Sequence, residues 1–372
     1  MNRYWIFLAI IILSANGRAQ VANQDSLLQV TYKAGLDKLS AEDYKGAILD
    51  FDRAINSGLK DKEALLKRGV AKYHLERWEE AKNDLDEAFK ARINTVELSL
   101  YRGKAKYQLK DFKGASFDLE NAIKSGSTDA EAYFFLGNAL YRQDNFAGSV
   151  TNYEKAAAAG WNDETLFNNK GKAHFNLQQY KEAISSYDQA LAKNSDYEKA
   201  LENRAEAKYM AEDWQGAVDD YAAILSKKPG ENEMLNNKAR ALYELKKYPE
   251  AAADFEKLIA KTGGDDQAYR MMGLSYYGLE DFKKAAPSLK KASGTFSSDK
   301  ELWEALGKSS YLAENYKDAA EQLDMATKIG VDDQDTWLYL GNAFFAIEKA
   351  DEAAGALKKA FAKGASDYNA FF

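Results

Sequence analysis

Cysteine is absent from this chain, histidine occurs twice and proline three times. Without thiols there are no disulfides, no thiolate metal centres and no lipid anchor on a cysteine. His74 and His174 are too few for an imidazole cluster, and each reads as structural: position favours His74 on a binding surface and His174 in packing. Three prolines leave long stretches rich in Ala, Leu, Glu and Lys, which favour helix over strand. Positive charge is also short: the formal net charge is −7. Phosphate backbones need a basic surface, so nucleic acid is not an expected partner. No phosphate-cradling loop, no metal-spaced His or Asp cluster and no nucleophile–base pair stands in the sequence. Neither a catalytic residue nor a cofactor or metal is therefore expected.

One long apolar run is present, at the very start. Arg3 precedes Trp5–Leu13 (WIFLAIIIL), and Gly17-Arg18-Ala19 supplies small residues at a cleavage position. This is the pattern of an export signal over residues 1–19, and nine apolar residues are too few to span a bilayer. Cleavage near Ala19–Gln20 would leave a soluble exported product, in the periplasm in the simplest case; the competing reading is an uncleaved anchor. Removing Arg3 and Arg18 with the leader takes the net charge from −7 to −9. No later segment of the sequence is long and apolar enough to cross a membrane.

The dominant positive feature is a period of 34 residues. Gly35, Gly69, Gly103, Gly137, Gly171, Ala205, Ala239, Gly273, Gly307 and Gly341 follow one another at that spacing with no insertion. With each unit numbered from 1 to 34 and the first opening at Leu28, these are position 8. Position 20 is Ala or Ser in all ten units, position 17 is aromatic from Tyr44 to Tyr316, and position 24 is always large, from Phe51 to Leu357. Position 12 is Tyr or Phe in every unit after the first. These three- and four-residue steps mark one face of each of two helices per unit. The pattern breaks at positions 15 and 16, and glycines at position 31 (Gly58, Gly126, Gly160, Gly330, Gly364) predict a left-handed cap ending the second helix. Glycine inside the first helix makes sense where two helices cross too closely for a larger side chain.

These residues resemble the tetratricopeptide repeat family. Trp303-Glu-Ala-Leu306-Gly307 and Trp337-Leu-Tyr-Leu340-Gly341 match the family's opening Trp-x-x-Leu-Gly, and Pro229 falls at its late proline position. The resemblance covers residues 28–367 as ten repeats in one solenoid, after a cap segment at 20–27 and before a truncated eleventh unit at 368–372. It implies an all-α fold, an α-solenoid in which antiparallel helix pairs form a right-handed superhelix with first helices lining the concave side. Pro249 suits the first turn of its helix, whereas Pro287 lies deeper and predicts a late start or a bend. Position 7 is basic in Arg68, Arg102, Lys170, Arg204 and Lys238, position 11 is often lysine, and position 23 is Asp in Asp50, Asp84, Asp118, Asp220 and Asp254. Pairs such as Arg68–Asp84 and Arg204–Asp220 are expected between the two helices.

Groove positions in the family are 2, 5, 6, 9 and 13. At positions 5 and 6 the early units carry Tyr32, Leu66, Leu100, Tyr101, Phe134 and Phe135, either an exposed apolar binding stripe or a filling of the inner curvature. Position 6 then becomes Asn169, Asn203 and Asn237, similar to the asparagine ladder of peptide-binding members, with Asn168, Asn236, Lys172 and Arg240 around it. A carboxamide donates and accepts at once, so it can pair with an extended backbone; equally, asparagine is an ordinary solvated residue. The set required by the family's carboxylate clamp occurs in no three consecutive units.

Partners are accordingly proteins or peptides. One reading is an exported adaptor holding extended polypeptide in its groove. The other is a structural subunit of a larger cell-envelope assembly for secretion, motility or outer-membrane work, docking through its C-terminal end or convex face. Tyr368–Phe372 either folds down as a small cap or leaves an edge for another molecule, including a second copy of the chain.

Overall fold

Glycine weakens a helix by about 0.5–1 kcal/mol relative to alanine, so eight at one position of the repeat need a physical reason. A computed structural model, which describes residues 26–59 and 61–365, supplies it. A Cβ on Gly171 would lie 2.5 Å from the Tyr187 ring, one on Gly103 2.8 Å from Leu119, and one on Gly307 2.6 Å from Leu323. In each case position 8 of the first helix meets the position-24 side chain of the second helix in the same repeat. Bulk is supplied from one side of the crossing and its absence from the other.

The described residues form paired helices and turns, with no strand among them. A first helix over residues 26–40 pairs with Tyr44–Asn56, Glu63–His74 with Trp78–Lys90, Val96–Gln108 with Phe112–Lys124, and so on to Gln334–Ala346 with Ala350–Ala362. Contacts divide the chain after Ser195 into two units of five pairs each. The leader at 1–19, the Gln24-Asp25 cap residues and the stub at 368–372 lie outside the described residues.

Each second helix opens at the position-17 residue, and two residues before it explain why. Position 15 is left-handed in every repeat, from Glu42 (φ 59°) to Glu348 (φ 63°), and is never glycine. The following N–H closes the first helix by returning to the position-11 carbonyl, as from Asp43 to Lys38 at 2.9 Å and from Asp111 to Lys106 at 2.9 Å. Asp43, Asp111 and Asp213 then accept the backbone N–H groups of Gly46, Gly114 and Gly216, capping the second helix. The position-31 glycines do take left-handed φ values, and Arg92 occupies the same place with φ 64°. Pro249 falls in the first turn of Tyr248–Thr262. Pro287 causes no late start: Phe282–Ala292 opens in register and is short at its other end, with 11 residues.

Within each unit, packing passes between neighbouring repeats. Leu66, Val70, Tyr73, Ala81, Leu85 and Ala88 of the second repeat share a cluster with Leu98 and Ala105 of the third. Aromatic rungs join positions 12 and 17, as in Tyr107–Phe112 (5.6 Å between centroids) and Tyr209–Trp214 (4.9 Å). Where Ala350 replaces the position-17 ring, Phe345 is left 62% exposed.

The expected ion pairs are present, with Asp84, Asp118 and Asp220 buried. Arg68 grips Asp84 with Nε at 2.7 Å and Nη2 at 2.6 Å, while Lys72 reaches the same carboxylate at 2.7 Å. Arg102 and Lys106 converge on Asp118, which is fully buried, and Arg204 and Lys208 on Asp220. Lys238 lies 2.9 Å from Asp254, although the angle is too poor for a hydrogen bond. Arg68 also reaches back 2.6 Å to Asp52 of the preceding repeat, tying the two together.

Three stability measurements follow, each read from urea unfolding. Gly307→Ala should cost about 1–3 kcal/mol by overpacking against Leu323. Gly126→Ala, where φ is 99° and no atom lies within 4 Å, should cost about 1–2 kcal/mol through backbone conformation alone. Asp118→Asn should cost about 3 kcal/mol or more, because Arg102 and Lys106 lose their buried counter-ion, whereas Lys90→Ala at the exposed Lys90–Glu87 pair should leave the unfolding midpoint unchanged.

Candidate functional site

The early apolar column is core rather than an exposed stripe. Tyr32, Leu66, Leu100 and Phe134 are all buried, because position 5 packs against the second helix of its own repeat and the first helix of the next. The inner-filling alternative accounts for them. Tyr101 and Phe135, at position 6, are half-buried and have another task. With Tyr73 they surround the ammonium of Lys104, whose Nζ lies 4.9 Å from the Tyr73 centroid, 4.6 Å from Tyr101 and 5.7 Å from Phe135. Glu131 closes the box at 2.6 Å, and Lys104 is only 2% exposed. Burial pushes the Tyr101 hydroxyl up to about 12. His74 stacks flat on Tyr44 at 4.6 Å and contacts the Tyr101 hydroxyl at 3.1 Å; partial desolvation, and then Lys104, push its pKa below the ordinary value. His174 sits 2.8 Å from Gln179.

One repeat further along, the same face opens into a polar pocket. The first helices Val96–Gln108, Ala130–Tyr141 and Glu164–Asn176 bring together Tyr107, Asn138, Tyr141, Asn169 and Lys172. Arg142, which caps the second of them, and Tyr153, from the following second helix, complete a cavity of ≈ 130 Å³. Asn138 Oδ1 accepts twice, from the Tyr153 hydroxyl at 2.7 Å and from Asn169 Nδ2 at 3.1 Å. Tyr141 receives Asn176 Nδ2 at 3.1 Å and lies beneath Lys172, 5.6 Å from its ring centroid. Arg142 lies 5.8 Å from the Phe112 ring. Among the described residues neither Arg142 nor Lys172 forms an ion pair with a carboxylate. Asn168 is buried, with Nδ2 3.5 Å from Asn169 Oδ1.

The remaining expected polar residues belong to the second unit. Asn203, Asn236, Asn237 and Arg240 are all half-buried. Arg240 lies 5.6 Å from the Tyr209 ring. Asn236 lines a shallow cavity with Asn232, Glu233 and Asp265. Glu206 is held above the usual carboxylate range by burial, then by Glu233.

One position-6 asparagine has internal work: Asn169 donates to Asn138, which also accepts from the position-24 Tyr153. That relation is visible in sequence, since Tyr153, Tyr187 and Tyr221 each precede one of the three asparagines by a fixed 16 residues. Sequence reasoning missed Asn138 and Arg142, although they fall at groove positions 9 and 13. Only the fold shows that they meet Lys172. No group of His, Asp or Glu among the described residues could hold a metal ion, and no described helix is long and apolar enough to cross a membrane.

The tetratricopeptide repeat pattern matches residues 32–93, 100–164, 168–232, 211–266 and 270–334. Among solved structures, a tetratricopeptide repeat protein from Parabacteroides merdae is 17% identical, with 72% of this chain and 98% of that one covered and a TM-score of 0.43. The C-terminal part of a repeat protein from Cytophaga hutchinsonii is 19% identical over 74% of this chain and 99% of that one, with a TM-score of 0.42. YrrB, described as having an unusual peptide-binding site, is 20% identical over 46% and 89%, at 0.43. No curated protein matches the chain. Repeat pattern and helix pairing agree: the chain belongs to the tetratricopeptide repeat family and is built as a scaffold for protein–protein interaction.

Proposed function

We propose that this chain is an exported scaffold that holds an extended polypeptide segment along the face of its first helices. The observation that carries this reading is the pocket at Asn138, Asn169, Arg142 and Lys172, where donors gather on a surface without an internal carboxylate. Polar groups concentrated on a rigid scaffold favour backbone recognition, because an extended strand brings acceptors at regular spacing. Export is supported by Arg3, the Trp5–Leu13 run and the small residues before Gln20. In a diderm bacterium that places the working protein in the periplasm.

Two measurements test the two parts. Mass spectrometry of the protein recovered from its host should give a mature chain beginning at or near Gln20; a chain retaining Met1 would remove export by cleavage. For binding, a photo-crosslinking side chain placed at Tyr141 should capture members of a pool of unstructured 12-residue peptides. The same group at Phe117, which is 59% exposed on a second helix, should capture few. Equal capture at both sites, or capture at Phe117 alone, defeats the first-helix reading.

A further inference from the structure

Three lysines occupy position 9 of the repeat, and their surroundings differ in one respect. Lys104 is paired with Glu131 at 2.6 Å and enclosed by three rings. Lys308 is paired with Glu304 at 2.6 Å, approaches Asp333 at 3.9 Å, and is also buried. Those acids come from position 2 of the next repeat and position 5 of the same one. At the corresponding repeat positions for Lys172 the sequence has Asn168 in the same unit and Lys199 across the division of the chain, neither of them an acid. Lys172 has thus lost both sources of a counter-ion that its two counterparts use, and it remains half-exposed beside Arg142.

The other groups reinforce the missing charge. Asn138 Oδ1 is engaged by Tyr153 and Asn169, which leaves the Asn138 amide hydrogens as its contribution to the cavity. The seven lining residues include a guanidinium, an ammonium, two carboxamides and three phenols, and no carboxylate. A volume of ≈ 130 Å³ is about four times a water's share of the liquid, enough for a carboxylate and a short stem. Tyr107 and Tyr141 provide apolar walls for methylene groups.

We infer that this pocket takes the side-chain carboxylate of a glutamate or aspartate in the bound polypeptide, the ligand supplying to Lys172 and Arg142 the charge that Glu131 and Glu304 supply within the chain. This inference rests on the first-helix reading above and adds its chemical selectivity. Charge-assisted bonds to an ammonium and a guanidinium are stronger than neutral ones and weaken with salt.

The test uses the whole chain and three defined probes in calorimetry: Ac-(Ser-Glu)5-NH2, Ac-(Ser-Gln)5-NH2 and the free acid Ac-(Ser-Gln)5-OH. The glutamate peptide should bind at least ~10-fold more tightly than the glutamine amide. That preference should vanish in the double variant Lys172→Gln, Arg142→Gln, with unchanged helical circular dichroism confirming that it folds. Equal affinity for the first two probes overturns the inference. So does a preference that survives in the double variant, which would place the discrimination elsewhere. If the free-acid peptide matches the glutamate peptide, the pocket selects a chain terminus and the side-chain assignment is wrong. Absence of binding by all three probes, with peptides still captured at Tyr141, overturns the acidic selectivity alone; absence of both overturns the first-helix reading as well.

Discussion

The structure depends on one contact repeated ten times: a small residue at position 8 of a first helix against a large one at position 24 of the second. Close approach of the two backbones is what lets Ala47, Ala81 and Ala115 be fully buried between helices, since an alanine fills no more than a narrow gap. It also sets where the polar residues stand. Positions 7 and 11 of the first helix are brought to face position 23 of the second, so an arginine, a lysine and an aspartate meet in a space that excludes water. Such a triad is costly to bury and more costly to break. Its value here is register, since Arg68 binds Asp84 within its own repeat and Asp52 in the one before.

Much of this was legible in the sequence because the period carries the information. A single glycine in a helix says little, but eight at one position require a crossing. One Arg–Asp pair 16 residues apart is unremarkable, but its recurrence across a turn of known place predicts contact. The left-handed residue at position 15 was not legible. Glu42, Lys110 and Gln178 share no backbone preference for that conformation, and tertiary closure by the position-11 carbonyl imposes it. Pro287 was read from its local rule, yet the helix around it opens in register because Phe282 and Leu289 pack as in every other repeat.

The surface was harder to read than the core. Position 5 looked like a binding stripe because Leu66, Leu100 and Phe134 are apolar at a groove position, whereas their burial follows from the following repeat covering them. The asparagines looked like a ladder for a ligand, and one of them, Asn169, donates to Asn138 within the chain. Both alternatives arise from one cause: a groove position is defined by the repeat, but its exposure depends on the size of its neighbours one repeat away. Tyr101 and Phe135 illustrate this, since they cover Lys104 only because Tyr73 and Glu131 stand on either side of it.

That dependence on neighbours is also how a repeated scaffold acquires a particular site. The backbone presents position 9 in the same way in every repeat, so a lysine there is neither a site nor a structural element by itself. With Glu131 or Glu304 beside it, the ammonium is neutralised and becomes part of the packing. With asparagine at position 5, the side chain of Lys172 meets no carboxylate among the described residues and lines a cavity. On such a fold a position-9 lysine can be paired with a carboxylate, as Lys104 and Lys308 are, or left without one, as Lys172 is.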